Sequence, residues 1–473
     1  MEVHVELKTD SKMFCTCKNE LGLDRVPNSN ICPVCTGQPG VLPVANEKAI
    51  EYVIRVGLAL NCKIAKISKF DRKNYFYPDL PKGYQISQYD QPICRGGKLE
   101  MGDGKIIGIT RIHLEEDTGK LIHQKGTDFS LVDFNRSGVP LMELVTEPDI
   151  KSAQEAKKFC EELQLILRYL GISDADMEKG HMRCEANISI SKDKKSGIKV
   201  EIKNLNSFKS VEKAIDFEVR RQSEILDKDE KVIQETRGWD ENKMQTYSQR
   251  EKESAHDYRY FPEPDLPPLE FNREYVDKVM AELPELPAQK IKRFQDEYKL
   301  SKYDAEILSR DRELAEFFEQ AVSEACELCE EDSGLSKLTA NYLITGLKKY
   351  LKEGERIPSL KITPENFGEL VSIVAQGKIN SSAAQLVLEE MVKTGADPEH
   401  IIAEKNLAQV GDEVRIEEYV KIVIEKNPVP VEDFKAGKQA AMQYLIGQVM
   451  KEAKGKANPG TAQKLLRRAL DKR

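Results

Sequence analysis

The sequence predicts an α+β fold in which a mostly antiparallel β-sheet comes first and all-helical domains follow. Up to about residue 285, short β-like runs alternate with turn signals, whereas amphipathic helices dominate the remainder. The chain has 473 residues, which is too long for one ordinary hydrophobic core. We therefore expect two or three domains.

The β-like runs define the first region. They cover residues 3–7, 107–113, 130–134, 188–190 and 199–202, and loops rich in Pro, Asn, Asp and Gly separate them. Two or more helices interrupt the region, among them residues 45–60 and 152–170, where apolar residues recur at helical spacing. Strands joined by long loops, with few helices between them, favour an antiparallel sheet over a doubly wound one.

The helical region begins near Pro284 and Pro287, which suit the space between two helices or the first turn of one. Predicted helices follow at residues 287–298, 303–309, 311–330 and 338–353. A second, softer boundary lies near Gly395 and Pro398. The predicted domains are therefore residues 1–285, 286–395 and 396–473.

The composition is that of an ordinary globular protein, with 40% hydrophobic and 32% charged residues. No apolar run approaches the roughly 18–20 residues that a membrane helix requires, and the first residues lack the layout of a signal peptide. We therefore expect a cytoplasmic protein that does not contact a membrane. Its ten cysteines are expected to stay reduced unless a metal binds some of them.

The net charge of −8 argues against non-specific nucleic-acid binding by the whole chain. The last residues are nevertheless basic. This is typical of a solvated helix end, where cations suit the helix dipole, and equally of a contact with a phosphate backbone. The basic residues are Lys451, Lys454, Lys456, Lys464, Arg467, Arg468, Lys472 and Arg473.

Two close cysteine pairs predict a structural zinc site. Cys15 and Cys17 form one pair, and Cys32 and Cys35 form the other, about fifteen residues later. Zinc sites are commonly built from two such knuckles, and four thiolates leave no open position for a substrate. Four unrelated buried thiols are a poorer explanation, because the polar, turn-rich segment between the pairs could not bury them.

Carboxylates and imidazoles in three β-like segments suggest a site for a hard cation. Glu2 and His4 lie two residues apart, so they share one face of a strand, and His113 and Glu115 repeat that spacing. Glu143 lies inside an apolar run, where a carboxylate is costly unless it is paired or bound to a metal. Oxygen-rich donor sets with an imidazole suit Mg²⁺. Ordinary solvated carboxylates remain the alternative.

A basic, aromatic-rich segment contains Lys69, Arg72 and Lys73. Cations beside aromatic rings can contact phosphates and stack on a base, although a packed hairpin with a charged edge has the same composition. The sequence contains no P-loop, no Rossmann glycine pattern and no nucleophile elbow. Any ATP pocket must therefore be of an unusual kind.

Taken together, several long motifs in order resemble the GatB family, whose members are the GatB component of the GatCAB amidotransferase. The resemblance covers nearly the whole chain. The motifs are EVHVEL at residues 2–7, KFDRKNYFYP at 69–78, YQISQ at 84–88, EEDTGK at 115–120, DFNR at 133–136, EPD at 147–149 and DYRYFPEPD at 257–265.

The resemblance implies a cradle-like catalytic domain, then helical domains that end in a YqeY-like, tRNA-contacting tail. It also implies that ATP and Mg²⁺ are used to phosphorylate the side-chain carboxylate of Glu-tRNA(Gln) or Asp-tRNA(Asn). Ammonia from a GatA glutaminase subunit then displaces the phosphate, and a GatC subunit stabilises the heterotrimer. The glutaminase chemistry of GatA accounts for the missing nucleophile in this chain.

The resemblance further implies particular site residues. The family's Mg²⁺ ligands match Glu2, His4, Glu116 and Glu143, with Glu116, Glu143 and His4 as the catalytic groups and Glu115 as the near neighbour of Glu116. Lys69, Arg72 and Lys73 are expected to contact the ATP phosphates, and the family often carries zinc knuckles at Cys15, Cys17, Cys32 and Cys35. Family members usually have several residues before Glu2, so the first strand is expected to be short.

Two alternatives stay open at this point. An archaeal GatE-type amidotransferase has a similar core, but it carries an inserted domain for which residues 150–330 leave no room. A tRNA-binding scaffold without catalysis would not need Glu116 and Glu143. Hydrolysis of ATP that depends on mischarged tRNA would distinguish an enzyme from a scaffold.

Overall fold

The computed structural model describes residues 1–471 apart from residues 21–24, 125, 193–196, 252–257, 330–333, 353–354, 409–412 and 454–456. Asp257 of one motif, and Lys454, Lys456, Lys472 and Arg473 of the basic tail, lie outside the described residues. The chain divides into two units, Met1–Ala288 and Gln289–Arg473. Among the described residues, no helix is long and apolar enough to cross a bilayer.

The first unit contains the strands. In chain order they are β1 (Glu2–Glu6), β2 (Lys63–Ile64), β3 (Ile67–Ser68), β4 (Asp71–Asn74), β5 (Tyr84–Ser87), β6 (Cys94–Arg95), β7 (Lys98–Glu100), β8 (Ile106–Glu116), β9 (Lys120–His123), β10 (Ser130–Asp133), β11 (Pro140–Thr146), β12 (Met182–Ile188), β13 (Val200–Leu205), β14 (Glu235–Asp240), β15 (Gln245–Glu251), β16 (Phe261–Pro262) and β17 (Leu269–Glu270).

One large sheet organises this unit. Within the described part of the chain it joins ten strands in the order β15-β14-β13-β12-β1-β11-β8-β6-β2, with β7 paired to β8. Its pairs there are antiparallel except for β13 with β14. This confirms the predicted mostly antiparallel sheet. A separate three-stranded sheet has the order β16-β4-β5.

Alternation along β1 gives the large sheet one apolar and one polar face. Val3 and Val5 are fully buried in the hydrophobic core of the first unit, whereas His4 lies between them in sequence and therefore points to the other face. β1 is a central strand, paired with β11 on one side and β12 on the other. The polar face of the central strands is consequently the place where functional side chains can converge.

Helices cover the apolar face. They are α1 (Glu47–Ala59), α2 (Ala153–Tyr169), α3 (Phe208–Asp227) and α4 (Arg273–Ala281). Asn46 and Ser152 cap α1 and α2 by accepting hydrogen bonds from backbone N–H groups in the first turn. The bounds of α1 and α2 agree with the predicted helices at residues 45–60 and 152–170. Val53 of α1 and Phe159 of α2 belong to the same core as Val3.

The second region is helical, as predicted. Its helices are α5 (Pro287–Asp296), α6 (Lys302–Ser309), α7 (Arg312–Leu328), α8 (Leu335–Asn341), α9 (Pro364–Ala375), α10 (Ser381–Thr394), α11 (Pro398–Glu404), α12 (Glu413–Lys426), α13 (Pro428–Lys435), α14 (Gln439–Glu452) and α15 (Pro459–Asp471). The predicted helix at 338–353 begins earlier, at Leu335, and passes through a π-helical stretch, Tyr342–Leu347.

Two hydrophobic cores lie within the described part of this region. One includes Phe318, Leu388 and Ile401, and the other runs from Ile416 to Leu470. Because Ile401 of α11 packs in the earlier core, the change from one core to the next falls later than the boundary predicted at residue 395. The end of the first unit at Ala288 lies three residues from the boundary predicted at 285.

The predicted strand at residues 188–190 is misplaced. The structure has β12 at Met182–Ile188, where buried Met182, Cys184 and Ala186 alternate with more exposed residues. A polar residue follows each apolar one in this segment, so its apolar content is low although its period is that of a strand. The sequence prediction followed apolar content and missed the alternation.

Candidate functional site

The register of three central strands brings the predicted acidic residues together. His4 on β1 lies opposite Glu143 on β11, and Glu143 lies opposite His113 on β8. Glu115 lies two residues after His113, so it shares that face. His4, Glu143 and His113 therefore form one row across the polar face of the sheet, and Glu115 lies in the adjacent row.

Three of these residues are spaced for one ion. His4, Glu115 and Glu143 can each offer a ligand atom, and these atoms all lie within 4.8 Å of one another. Nε2 of His4 lies 3.3 Å from Oε2 of Glu143 and 3.7 Å from Oε1 of Glu115. Two carboxylates and one imidazole suit a hard divalent cation such as Mg²⁺ or Mn²⁺, so the donor set fits the ion that the motifs imply.

The charges of the site are balanced by its own imidazoles. Burial would raise the pKa of Glu143, but the positive charges of His113 and His4 and their hydrogen bonds hold that pKa well below its usual value. The pKa of Glu115 is likewise lowered, because His113 and Lys73 outweigh the effect of burial. Both carboxylates are therefore ionised at neutral pH, as ligands of a cation must be.

The pKa values of the two imidazoles, His4 and His113, are raised. Burial lowers the pKa of His4, but Glu143 and Glu115 more than compensate, so it lies above the usual value. Burial also opposes the charge of His113, yet the same two carboxylates raise its pKa to about 9. His4 is a candidate ion ligand, so a cation that binds there must displace its proton.

Glu116 does not join this group, which corrects the expectation from the sequence. Its carboxylate lies 2.6 Å from Nζ of Lys82 and accepts a hydrogen bond from the backbone N–H of Ile86 at 2.9 Å. Neighbouring residues of a strand point to opposite faces, so Glu115 faces His4 and Glu116 faces away. The predicted partnership of Glu116 with Glu143 is replaced by one between Glu115 and Glu143.

Glu116 instead lines a cavity of about 230 Å³. Arg72, Lys82 and Tyr84 line the same cavity, as do Cys15 and Cys35, together with the apolar side chains of Phe14, Val34, Val41 and Ile86. Two cations and two carboxylates, those of Glu116 and Asp265, balance within the lining.

Glu2 belongs to a second acidic group on the same face. It can offer a ligand atom within 4.8 Å of Glu185 and Glu201, and its Oε1 accepts a hydrogen bond from Asn187 at 2.8 Å. Lys203 lies 3.1 Å from Glu185 and partly neutralises this group. Glu2 and His4 are thus on one face, as predicted, but the structure groups them with different carboxylates.

Of the three cations predicted to contact phosphates, Lys73 is the one directed at the site. Burial opposes the charge of Lys73, but the Glu115 and Glu143 carboxylates more than compensate and raise its pKa above the usual value. Its ammonium group lies 5.1 Å from the ring centroid of Tyr258, which is cation–π distance. The positive charge of Lys73 therefore favours the ionised form of Glu115.

Lys69 and Arg72 have protein partners of their own. Lys69 forms ion pairs with Asp71 and Asp90. Arg72 donates two hydrogen bonds to Glu263, of 2.7 and 2.8 Å, and its guanidinium group lies over the Tyr84 ring. A phosphate would have to compete with these contacts.

The four predicted zinc ligands converge. The sulfur atoms of Cys15, Cys17, Cys32 and Cys35 lie within 4.8 Å of one another. Cys35 accepts a hydrogen bond from the backbone N–H of Cys32 at 3.1 Å, and its hydrogen bond with Cys15 lowers the pKa of the Cys35 thiol to about 5. A ready thiolate within a four-sulfur cluster fits tetrahedral zinc.

Two family models match the chain. One, described as the GatB/GatE catalytic domain, matches residues 1–277, and the other, described as the GatB domain, matches residues 316–470. The chain belongs to the GatB family. The second match lies in the helical region and covers most of the chain that follows the catalytic domain.

Curated GatB relatives extend over the full length. The chain is 50% identical to the B subunit of the aspartyl/glutamyl-tRNA(Asn/Gln) amidotransferase from Carboxydothermus hydrogenoformans, over 100% of this chain and 98% of that protein. Proteins of the same name from Thermodesulfovibrio yellowstonii and Persephonella marina are each 49% identical, over 99% of this chain and 98% of theirs.

Sequence reasoning missed two parts of this GatB-family site. His113 was recognised only for its spacing from Glu115, and Tyr258 only as part of an aromatic motif. The alternation of His113 and Glu115 with buried Ile112 and Leu114 was the available signal. It placed the two polar residues on one face, but a second strand was needed to show what they face.

Proposed function

We propose that this GatB-family chain is the ATP-using subunit of an amidotransferase that converts Glu-tRNA(Gln), Asp-tRNA(Asn) or both into Gln-tRNA(Gln) and Asn-tRNA(Asn). The observation that carries the proposal is the convergence of Glu143, Glu115 and His4 beside the ammonium group of Lys73. The relatives named above are amidotransferase subunits that act on these tRNAs.

The chemistry requires activation of a poor electrophile. An oxygen of the substrate's side-chain carboxylate attacks the γ-phosphorus of ATP, the bond to ADP breaks, and an acyl phosphate results. Ammonia then attacks the carbonyl carbon, phosphate leaves with the C–O bond electrons, and the amide forms after a proton is lost. The first step brings anionic carboxylate and triphosphate together, so positive charge must offset their repulsion.

Residues of this chain would supply that charge in two ways. His4, Glu115 and Glu143 would hold Mg²⁺, which when bound neutralises phosphate oxygens. Lys73 would contact the transferring phosphoryl group, since it lies beside these carboxylates in an aromatic setting. Glu2, two residues before His4 and on the same face, would face the same space without joining the ligand set.

The remaining parts of the chain would serve assembly and tRNA binding. We infer that GatA supplies ammonia and GatC completes the heterotrimer, as the family resemblance implies; the sequence of this chain contains no nucleophile elbow. Zn²⁺ bound by the four cysteines would fix the loop between residues 15 and 35 without taking part in chemistry. The basic face of α15, with Lys464, Arg467 and Arg468, would contact tRNA phosphates.

Amide formation on mischarged tRNA by the reconstituted heterotrimer tests the proposal. Glu143→Gln keeps the shape of the side chain and removes its charge, so it should abolish tRNA-dependent ATP hydrolysis and amide formation. Glutaminase activity and assembly should persist. The matched control is Glu224→Gln, which changes an exposed carboxylate on α3 and should be neutral. Near wild-type amide formation by Glu143→Gln would reject the site.

The same assay decides the alternative function. A non-catalytic tRNA-binding scaffold would support no ATP hydrolysis in response to mischarged tRNA, and Glu143→Gln would leave every measured rate unchanged. The spacing of His4, Glu115 and Glu143 favours the enzyme, because two carboxylates and an imidazole that can reach one ion suit a divalent cation that a scaffold would not need.

A further inference from the structure

His113 is a buried histidine beside the carboxylate pair to which the proposed chemistry gives no role. Its side chain is 4% exposed, so it is shielded from ATP and from the aminoacyl group. Nε2 lies 3.4 Å from Oε2 of Glu143 and 3.8 Å from Oε2 of Glu115. The imidazole therefore touches both of the carboxylates that would hold an ion.

The two oxygens of Glu115 have different neighbours. Oε2 accepts a hydrogen bond from the Ser87 hydroxyl at 3.1 Å and lies next to His113. Oε1 lies 3.7 Å from Nε2 of His4 instead. Oε2 of Glu115 is thus held by Ser87 and His113. Oε1 is directed to His4, which belongs to the candidate ion ligands. Among the described residues, His113 lies outside that set.

His113 also fixes Glu143 from the neighbouring strand. The two residues are direct cross-strand partners in the β8–β11 pair, where side chains of opposite charge stabilise each other. His4 contacts the same oxygen of Glu143 from β1 on the other side. Glu143 is consequently held between two imidazoles, of which one belongs to the ion-binding set and the other does not.

We propose that His113 is a positioning residue, whose Nε2 fixes the Glu143 and Glu115 carboxylates at the spacing that a divalent ion requires. It does not contact the ion itself. This inference rests on the proposed function, since it assumes that the carboxylates hold an ion. Groups that orient metal ligands in this way contribute about 10- to 100-fold in metal affinity.

The test is Mn²⁺ binding to the full chain, measured by titration calorimetry and by electron paramagnetic resonance. Mn²⁺ accepts the same oxygen and imidazole donors as the expected ion. His113→Leu removes the hydrogen-bond donor, whereas the amide nitrogen of His113→Gln can take the place of Nε2. We expect the leucine variant to bind Mn²⁺ about 10- to 100-fold more weakly and the glutamine variant to bind close to wild type.

Two further readouts separate positioning from a general structural role. Electron spin echo spectroscopy should detect one imidazole nitrogen on Mn²⁺ in the wild type and in His113→Gln, because His4 alone contacts the ion. In the heterotrimer, His113→Leu should raise the KM for Mg²⁺ and leave kcat at saturating Mg²⁺ near wild type. A purely structural loss would lower kcat through the amount of folded enzyme and would not be rescued by Mg²⁺.

Each other result overturns the proposal. Wild-type affinity in His113→Leu would show that the contacts do not matter for the ion. A second imidazole signal that disappears in His113→Gln would make His113 a direct ligand. If the leucine variant fails to fold, the imidazole signal and the Mn²⁺ affinity of His113→Gln still test the proposal. Mn²⁺ binding that Glu143→Gln leaves unchanged would instead reject the ion site of the proposed function itself.

Discussion

At the scale of single residues, the site depends on which of two adjacent glutamates faces His4. Glu115 and Glu116 are both buried, and both lie at the end of β8, so composition and burial do not distinguish them. The distinction arises from strand alternation, which sends Glu115 to Glu143 and Glu116 to Lys82.

The selection of Glu116 came from the family resemblance, whereas the spacing from His113 indicated Glu115. An irregularity in β8 means that alternation read along the whole strand would not have corrected the selection. Ile107 and Ile109 are buried early in the strand, whereas Ile112 and Leu114 are buried later, so the alternation changes phase between them. The register of β8 with β11 shifts at this point, between Val145 and Thr146 of β11, as at a β-bulge. If strict alternation is assumed from the start of the strand, every side chain after the irregularity is assigned to the wrong face of the sheet.

Lys73 carries a prediction at the same scale. Lys73→Met should lower tRNA-dependent ATP hydrolysis about 100-fold, because it removes a positive charge placed beside the carboxylate pair. The measurement is phosphate release by the heterotrimer at saturating mischarged tRNA. Lys63→Met, on an exposed residue of β2, is the matched control. Equal rates for the two variants would remove Lys73 from the mechanism.

At the scale of elements, the cysteine loop is predicted to depend on its metal. The purified chain should contain one Zn²⁺ per molecule, and Cys35→Ser should lose it and unfold at a lower temperature, since zinc binding contributes to folding. Metal analysis and thermal unfolding provide the measurements. Cys326→Ser lies in the helical region and should keep its zinc. A wild-type chain that lacks zinc and is insensitive to chelators would contradict the assignment.

The contact between α9 and α11 predicts a pH dependence. Burial, and then the nearby Asp397 and Glu399, raise the pKa of Glu369 to about 7, from about 4.3 in an unfolded chain. Because the folded-state pKa is raised, the stability that Glu369 contributes is complete below about pH 4.3 and is lost as the pH rises through about 7.

Glu369→Gln should therefore reduce the loss of stability between pH 5 and pH 8, as measured by urea unfolding at several pH values. Glu365→Gln, an exposed residue one turn earlier on α9, should retain the wild-type dependence. If both variants show the wild-type dependence of stability on pH, the acidic neighbours do not raise the pKa of Glu369. Asp397 also caps α11. Deprotonation of Glu369 therefore adds a negative charge near the N-terminus of that helix.

At the scale of the whole molecule, the order of the regions and the fold class were predictable from sequence. Hydrophobic period and turn chemistry are local properties, and they identified α1, α2 and the change to helices near Ala288. Convergence of His4, Glu115 and Glu143 is a property of strand order and register. Those bring His4 to Glu115 and Glu143, each more than 100 positions away in the chain, which no local pattern specifies.

The basic end of α15 predicts how the molecule binds tRNA. Replacing both Arg467 and Arg468 by alanine should weaken tRNA binding and make it less dependent on salt concentration, by about one unit of slope for each lost phosphate contact. Filter binding at several salt concentrations measures both effects. Alanine at Lys337 and Lys361, two exposed cations elsewhere in the helical region, should leave the slope unchanged. An unchanged slope in the arginine variant would exclude phosphate contacts there.

The proposed ion site depends on Glu115, and not Glu116, sharing an ion with Glu143 and His4. The most direct measurement is Mn²⁺ affinity of Glu115→Gln and Glu116→Gln compared side by side in the full chain. We predict that Glu115→Gln loses Mn²⁺ binding to the same extent as Glu143→Gln, whereas Glu116→Gln binds close to wild type. Loss of binding in Glu116→Gln with retention in Glu115→Gln would contradict the account.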